Sequence, residues 1–246
     1  MAGAQYGSKA VSNMKTIGII GGMGPLATAD LYRKMILMTD AASDSQHPHI
    51  IIDGNTDIPD RSAAILRGEK DPGDELARTA RRLQQAGAEV LAVACNTAHY
   101  WYDRMAEAVE IPVLHMPELT LKEIQARGYG RVSLLATEGT YRAGVYGRIA
   151  GEMGLELMEP DEAGRGQVMD LIYKGIKAGD SSYDIGGFTA LLRRQMQQGA
   201  EAFILGCTEL PVAFEQYGLD LPAIDPSSVL AAAALRFAGA RLKERV

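Results

Sequence analysis

Two cysteines are the residues of this chain whose type and spacing best suit acid–base chemistry. Only Cys95 and Cys207 are present, and each ends an apolar run. The residues leading into them recur at a spacing of 112 positions, as Gly87 and Gly199, Ala88 and Ala200, and Glu89 and Glu201. A thiolate removes a proton and a thiol returns one. Two thiols on opposite sides of one cleft would suit a reaction that removes a proton from one face of a carbon and returns it to the other.

The residues that follow the cysteines support this chemistry. Asn96 and Thr97 follow Cys95, and Thr208 follows Cys207. Their polar side chains and N–H groups favour a thiolate, and a helix beginning directly after each strand would lower the thiol pKa. A free cysteine is often only a small buried residue. The matched placement in two copies instead favours a catalytic role.

Two basic residues lie on predicted loops, one in each half. Arg61 follows the second predicted strand, and Lys177 lies in the second half of the chain. A lone basic residue on a loop is usually only solvated. Together the two cations could hold a substrate with two negative charges, with Arg61 binding one carboxylate through two N–H groups.

The glycine loop after the first predicted strand has two interpretations. Residues 22–27 fit Gly-x-Gly-x-x-Ala, and Asp53 ends the next strand, as in a dinucleotide-binding site. However, the matching loop at residues 137–141 is not a glycine turn, and a dinucleotide site leaves the paired cysteines unexplained. In the second interpretation, Gly22 belongs to a tight turn whose backbone N–H groups hold a carboxylate.

Metal and serine-hydrolase chemistry have weaker support. His99 lies four residues after Cys95, which is ligand spacing on a helix, but a metal site needs a third or fourth ligand. His115 lies in an apolar run and is expected in the core or at the cleft edge. No Gly-x-Ser-x-Gly motif is present. We therefore predict no metal site.

The elements that carry these residues alternate between strand and helix. Predicted strands occupy residues 16–22, 49–53, 89–94 and 111–115, and then 131–137, 155–158, 201–206 and 221–225. Predicted helices occupy residues 26–38, 74–86, 187–198 and 229–243, with a further helical stretch up to residue 153. The pattern predicts an α/β fold of two pseudo-symmetric lobes made by internal duplication, each a mostly parallel four-stranded sheet flanked by helices. Ligands bind at the carboxyl ends of such strands, which is where the cysteines fall.

The duplication also predicts the domain organisation. Residues 14–114 with 226–246 form lobe 1, residues 115–225 form lobe 2, and residues 1–13 form a loose leader. The net charge of −6, without a local Lys/Arg cluster, argues against a nucleic-acid partner. No apolar run approaches a membrane span, and no signal-peptide pattern is present. We expect a cytoplasmic protein with reduced thiols and no membrane partner.

The chain resembles the aspartate/glutamate racemase family, and its aspartate racemase branch in particular. The matching segments are residues 21–28, 94–99 and 206–211, with Asp60-Arg61 and Tyr173-x-x-Ile-Lys177. They extend from about residue 16 to residue 224, which is nearly the whole chain. Glutamate racemases carry Asp-Ser-Gly near the first strand and Cys-Thr-His in the second motif. Here Gly-Gly-Met-Gly-Pro and Cys207-Thr208-Glu209 stand instead, which favours aspartate over glutamate.

The resemblance implies a cofactor-independent racemase, often dimeric, with the active site between two lobes. It implies that Cys95 and Cys207 are the catalytic acid and base, acting on a small, acidic amino acid. The predicted substrate-binding residues are Gly22, Met23, Asn55, Arg61, Asn96, Thr97, Thr137, Lys177, Thr208 and Glu209. A maleate isomerase or a decarboxylase of the same superfamily stays an alternative, although a decarboxylase would need only one cysteine. A nucleotide-binding or other ligand-binding protein that uses residues 22–27 is the alternative from a different class.

Overall fold

Short, apolar strands form the centre of each half of the molecule. The computed structural model describes residues 14–243, so the predicted leader lies outside the described residues. The strands are β1 (Ile17–Ile20), β2 (Ile50–Asp53), β3 (Val90–Val93), β4 (Arg131–Leu135), β5 (Glu156–Met158), β6 (Ala202–Leu205) and β7 (Ala223–Ile224). Strands β1, β3 and β6 are buried along their whole length. Their continuous apolar sequences are what a parallel sheet covered on both faces requires.

The strands form two parallel sheets with the same internal order. The first sheet has the order β2-β1-β3, and the second has the order β5-β4-β6-β7. The first strand of each half therefore lies between the second and the third. The register pairs Ile20 with Val93 in the first sheet and Leu135 with Leu205 in the second. The α/β fold with duplicated lobes is confirmed.

The fourth strand predicted in lobe 1, residues 111–115, is reduced to one bridge. The Leu91 N–H donates to the Pro112 carbonyl, and the Leu114 N–H donates to the Leu91 carbonyl, each over 2.8 Å. Only Leu91 and Val113 form a bridge, so the sheet has three strands. Pro112 has no N–H to extend the ladder, and His115 already caps the next helix. The equivalent β7 is itself only two residues long.

Helices cover both faces of each sheet. They are α1 (Pro25–Met38), α2 (Arg61–Arg67), α3 (Gly73–Gln85), α4 (Tyr102–Ala106), α5 (Met116–Ala126), α6 (Glu138–Ala143), α7 (Gly147–Glu152), α8 (Glu162–Asp170), α9 (Gly186–Gln197), α10 (Glu209–Gln216) and α11 (Pro226–Ala238). A 3₁₀ segment, Thr97–Trp101, precedes α4, and a π-helical segment, Leu171–Ile176, follows α8. The π-helical segment and helices α2, α4, α5 and α8 lie outside the predicted helices, and Arg61, which is predicted on a loop, is the first residue of α2.

Two predicted helices have different limits. The helical stretch before residue 153 is divided into α6 and α7, because Gly144 ends α6 in the left-handed region with φ of 63°. The terminal helix begins and ends earlier than predicted. Pro226 is suited to a first helical turn, Asp225 caps it, and Gly239 ends it with φ of 81°.

The core consists of one layer on each face of each sheet. In lobe 1, Ile17 and Ile19 pack with α11, and Ile20 packs with α3. In lobe 2, Leu134 packs toward α7, and Leu135 packs toward α8 and α9. Burying each large aliphatic side chain contributes about 1.5–3 kcal/mol. Helix α11 packs on the first sheet, and the division of the chain into domains stays a prediction.

The two lobes contact each other closely beside the strand ends. Helix α2 of lobe 1 packs against α6 of lobe 2, and a Cβ at Gly139 would lie 2.3 Å from Oγ of Ser62. Only glycine fits there without moving a helix. Within residues 14–243, no helix combines the length and the apolarity needed to span a membrane.

Candidate active site

Cys95 lies directly beyond the carboxyl end of β3, and His99 holds its backbone. Nδ1 of His99 lies 2.9 Å from the Cys95 carbonyl oxygen, and the Met116 N–H donates to Nε2 over 3.1 Å. Because Nε2 accepts a hydrogen bond, the proton lies on Nδ1, which donates to the Cys95 carbonyl. Burial, with a smaller effect of neighbouring His115, lowers the pKa of His99 to about 4. His99 is therefore neutral at pH 7 and fixes the cysteine loop, with neither nitrogen free for a metal.

Side chains of lobe 2 hold the two residues after Cys95. The hydroxyl of Tyr146 donates to Oδ1 of Asn96 over 2.6 Å. The hydroxyl oxygens of Thr97 and Thr140 lie 2.8 Å apart, and that of Thr137 lies 3.3 Å from Thr140. All five side chains are buried. The predicted residues Asn96 and Thr97 thus each take part in a contact that crosses between the lobes, and Thr137 joins the contact of Thr97 through Thr140.

Cys207 lies at the equivalent end of β6, beside a carboxylate. Its Sγ donates to Oε2 of Glu209 over 2.9 Å, and the Thr208 hydroxyl donates to the same oxygen over 3.1 Å. Burial and the Glu209 charge raise the pKa of the Cys207 thiol well above its ordinary value. The helix that begins at Glu209 offers a backbone N–H to the sulfur, but this opposing effect is smaller. The expectation that a following helix gives a low thiol pKa is therefore wrong for Cys207.

Lys177 belongs to the Cys207 side of the site. Its Nζ lies 3.6 Å from Oε1 of Glu209 and 4.7 Å from the ring centre of Tyr173. Partial burial lowers the pKa of Lys177, but the charges of Glu209 and Cys207 outweigh it, so the pKa is raised. Lys177 therefore carries a positive charge beside the second cysteine. Its side chain is 42% exposed, which leaves it accessible to an anion.

The glycine loop after β1 uses its own N–H groups internally. The Gly22 N–H donates to the Thr28 hydroxyl, and the Gly21 N–H donates to the Asp53 carbonyl, each over 2.9 Å. Gly22 has φ of 88°, and a Cβ there would lie 2.2 Å from the Asn55 carbonyl oxygen. Gly22 is therefore required for the close approach of the two loops. Its N–H is not free to bind an anion.

The acid that a dinucleotide site would need is also engaged. Oδ2 of Asp53 lies 2.9 Å from Nε and 2.8 Å from Nη2 of Arg82. A ribose would have to compete with this two-point pairing. Together with the occupied N–H of Gly22, it gives the dinucleotide interpretation no structural support.

Arg61 and Met23 contact each other beside this loop. Nη2 of Arg61 donates to the Met23 carbonyl over 3.1 Å, and Nη1 donates to the Pro59 and Ile58 carbonyls over 3.0 and 3.3 Å. Its buried Nε–H has no partner among the described residues. A buried donor without a partner is uncommon, and it is expected where a ligand binds. The carbonyls hold the guanidinium in a fixed orientation.

The side chain of Asn55 is held by contacts within lobe 1. Its Nδ2 donates to Oε1 of Glu75 over 2.8 Å and to the Thr79 hydroxyl over 2.9 Å. Its Oδ1 accepts from the Asp57 N–H over 3.0 Å. Every polar atom of the side chain therefore has a partner, and its contacts fasten the loop to α3.

The structure joins the predicted residues into three contact groups and adds three others. Cys95, Asn96, Thr97 and Thr137 form the first group, Cys207, Thr208, Glu209 and Lys177 the second, and Gly22, Met23, Asn55 and Arg61 the third. His99, Thr140 and Tyr146 were not predicted as site residues. The spacing of His99 from Cys95 was a usable signal, whereas no local motif marks Thr140 or Tyr146.

Both cysteines are free thiols. Each is free and partly exposed, and they are not joined to each other. Among residues 14–243, no group of three or more histidine, cysteine, aspartate or glutamate side chains is arranged to hold a metal ion. Two free thiols therefore lie at equivalent strand ends of the two lobes.

Comparison with known proteins gives the family. The model of the Asp/Glu/hydantoin racemase family matches residues 20–234. The chain belongs to this family. It is an amino-acid racemase, which is an isomerase, and the family expected from the cysteine motifs is confirmed.

Individual relatives of the family match nearly the whole chain. The broad specificity amino-acid racemase RacX of Bacillus subtilis is 28% identical over 228 residues, covering 87% of this chain and 94% of that protein. The aspartate racemase structure from Picrophilus torridus has a TM-score of 0.82 and 31% identity, covering 93% and 96% of the two chains. An aspartate racemase homologue from Pyrococcus horikoshii has a TM-score of 0.78 and 28% identity, covering 92% and 100%.

Proposed function

We propose that this racemase interconverts L- and D-aspartate without a cofactor, with Cys95 and Cys207 as its two acid/base groups. The main support is that the chain's only two cysteines follow equivalent strands, β3 and β6, and are both free and partly exposed. The likeness to the aspartate racemase of Picrophilus torridus supports aspartate as the substrate. Because the chain is also similar to a broad specificity racemase, glutamate and other amino acids must be assayed as substrates beside aspartate.

The proposed reaction transfers one proton on each side of the substrate carbon. One cysteine, as thiolate, takes the α-hydrogen as a proton, and the electron pair of the broken C–H bond moves toward the carboxylate. The other cysteine, as thiol, then donates a proton to the opposite face of the carbon. Each turnover exchanges the two protonation states, so the pair holds one proton in total. The opposite enantiomer requires the opposite starting state.

The neighbours of Cys207 favour the thiol as its resting form. Burial and the charge of Glu209 raise its pKa, so Cys207 would begin as the thiol, and the other cysteine would then have to act as the base. The reverse direction begins from the state that a forward turnover leaves, with Cys207 as the thiolate and Cys95 as the thiol. Oε2 of Glu209 lies 2.9 Å from Sγ of Cys207, so Glu209 would accept the hydrogen bond of the Cys207 thiol and favour return of the proton to this cysteine.

Binding of the dianionic substrate is assigned to two sets of donors. Asn96, Thr97 and Thr208 would stabilise the α-carboxylate, where negative charge grows as the proton leaves. Arg61 and Lys177 would pair with the side-chain carboxylate. Lys177 is 3.6 Å from Glu209, so a substrate carboxylate would compete with Glu209 for this lysine.

The homodimer and the cytoplasmic location also stay proposals. Helix α1 and the edge strand β2 expose apolar side chains, with Ile36 39%, Leu37 53% and Ile52 40% exposed. Exposed apolar groups of this kind support an interface between subunits. Light scattering at several protein concentrations would distinguish a dimer from a monomer.

Circular dichroism with purified protein and no added cofactor tests the proposed activity. We expect the signal of L-aspartate to decay to zero, and that of D-aspartate to decay to the same end point. Rates measured with glutamate and alanine show which amino acid the protein prefers. An assay with maleate tests the isomerase alternative. The Cys95→Ser/Cys207→Ser double variant is the control. An unchanged aspartate signal with wild-type protein, together with loss of the maleate absorbance, would replace racemisation by isomerisation.

A further inference from the structure

The residue that follows Cys95 is held by a tyrosine of the other lobe. Oδ1 of Asn96 accepts a hydrogen bond from the Tyr146 hydroxyl over 2.6 Å. Both residues are buried, with Asn96 4% and Tyr146 1% exposed. Tyr146 lies between α6 and α7, 50 positions further along the chain. The contact therefore links the first cysteine loop to the second lobe.

This hydrogen bond decides which end of the Asn96 amide is available. An asparagine side chain has an accepting oxygen at one end and an NH₂ with two donors at the other. Because the Tyr146 proton goes to Oδ1, the donating end is the free one. Burial raises the pKa of Tyr146, so its hydroxyl stays protonated and keeps this role.

The same segment of lobe 2 also fixes the next residue. The hydroxyl of Thr140 lies 2.8 Å from that of Thr97 and 3.3 Å from that of Thr137. Gly139 lets this segment approach α2 of lobe 1, because a side chain there would contact Ser62. Two consecutive residues after Cys95 are thus oriented by one short stretch of the opposite lobe.

We propose that Tyr146 is a positioning residue that turns the NH₂ group of Asn96 toward the α-carboxylate of the substrate. The proposal rests on the proposed function, in which Asn96 binds that carboxylate. Without the Tyr146 hydroxyl, the amide is free to rotate by half a turn. Its oxygen would then face the carboxylate, and repulsion would replace a hydrogen bond.

The Tyr146→Phe variant removes only the hydroxyl and tests the role directly. We expect kcat/KM for aspartate to fall about 10-fold, the effect of one hydrogen bond that also sets orientation. Because Asn96 would hold the carboxylate both in the bound substrate and as its negative charge grows, the loss should appear in kcat as well as in KM. The Asn96→Asp variant should bind aspartate less well than Asn96→Ala, since Tyr146 would donate to one oxygen and leave the other facing the substrate.

A double-mutant cycle separates positioning from structural damage. In the Asn96→Ala background, Tyr146→Phe should have little further effect on kcat/KM, because the residue through which Tyr146 acts is gone. Tyr141→Phe is the matched control. Tyr141 is also buried in lobe 2, and its hydroxyl bonds to Leu134 and Ala136 rather than to Asn96. Its effect should be the same in both backgrounds.

Equal losses from Tyr146→Phe with and without the Asn96 side chain would overturn the proposal. So would a wild-type KM and kcat in Tyr146→Phe. If the protein racemises another amino acid but not aspartate, the same cycle is measured with that amino acid. In that case the assignment of aspartate is wrong, and the cycle still tests the role of Tyr146. Wild-type protein that racemises no amino acid would overturn both.

Discussion

The thiol of Cys207 donates a hydrogen bond to Oε2 of Glu209 over 2.9 Å, while Lys177 lies 3.6 Å from the other oxygen of that carboxylate. At the equivalent place in lobe 1, the neutral His99 holds the backbone of Cys95. The duplicated halves have thus given their two thiols different neighbours. A two-base reaction requires one protonated and one deprotonated sulfur, and this difference would supply the distinction before substrate binds.

Glu209→Gln should make Cys207 more reactive as a nucleophile but less effective in catalysis. Loss of the charge removes one cause of the raised pKa of Cys207, so more thiolate is present at neutral pH. Alkylation of Cys207 by iodoacetamide, followed by mass spectrometry of each cysteine peptide, should become faster. Turnover in the direction that begins with Cys207 as the acid should fall, because less of Cys207 is present as the thiol that donates the proton.

The matched control for this variant is Glu215→Gln, an exposed position on the same helix α10. It removes an equal charge without contact with the thiol. Slower or unchanged alkylation of Cys207 in Glu209→Gln, with full activity, would remove Glu209 from the mechanism.

Arg61→Ala should raise KM far more for aspartate than for alanine. A charge-assisted hydrogen bond contributes about 1.5–3 kcal/mol, which corresponds to a change in KM for aspartate of about 10- to 100-fold. Steady-state kinetics on both substrates measure the ratio. Arg61 also donates to the Met23 and Pro59 carbonyls, so its loss could disturb the loop instead. Equal effects on aspartate and alanine would assign Arg61 to loop structure alone.

His99 should make the protein less stable as the pH falls from about 6.5 to about 4. Its pKa is lowered from 6.5 to about 4 in the folded protein, so the unfolded chain binds the proton first as the pH decreases. This difference contributes up to about 3 kcal/mol of lost stability across that window, and none above it. Urea unfolding at several pH values measures it.

His99→Asn should reduce this pH dependence, although the variant is less stable at pH 7 because Met116 loses its acceptor. His115 has a lowered pKa from burial and leaves a smaller slope. His49→Asn, at an exposed position, is the control. The same slope in wild type and His99→Asn would show that His99 is not the group that titrates.

Strand–helix alternation was sufficient to predict the fold, because buried parallel strands are apolar along their whole length. Residues 16–22 and 89–94 contain β1 and β3, and the repeat at 112 positions corresponds to the equivalent places of β3 and β6. The prediction of a fourth strand in lobe 1 was wrong, because an apolar run that contains a proline does not show how many hydrogen bonds it will form with the neighbouring strand.

The site was predictable only where a local motif marks it. Cys95 and Cys207 are visible in the sequence, since each follows a recognisable strand. Tyr146 is not, because its role depends on a contact with a residue 50 positions away. Asn55 and Gly22 are predicted as substrate-binding residues because they lie in loops. In the structure the Asn55 amide donates to Glu75 and the Gly22 N–H donates to Thr28, so neither donor is free for a substrate.

The most direct test of the two-thiol account follows the α-hydrogen of each aspartate enantiomer in deuterium oxide, in wild type and in Cys95→Ser and Cys207→Ser. We expect both single variants to lose racemisation, as measured by circular dichroism. Each should still exchange the α-hydrogen of only one enantiomer, because the remaining cysteine faces one side of the carbon. Proton NMR resolves the exchange. Full racemisation by either variant would contradict the account.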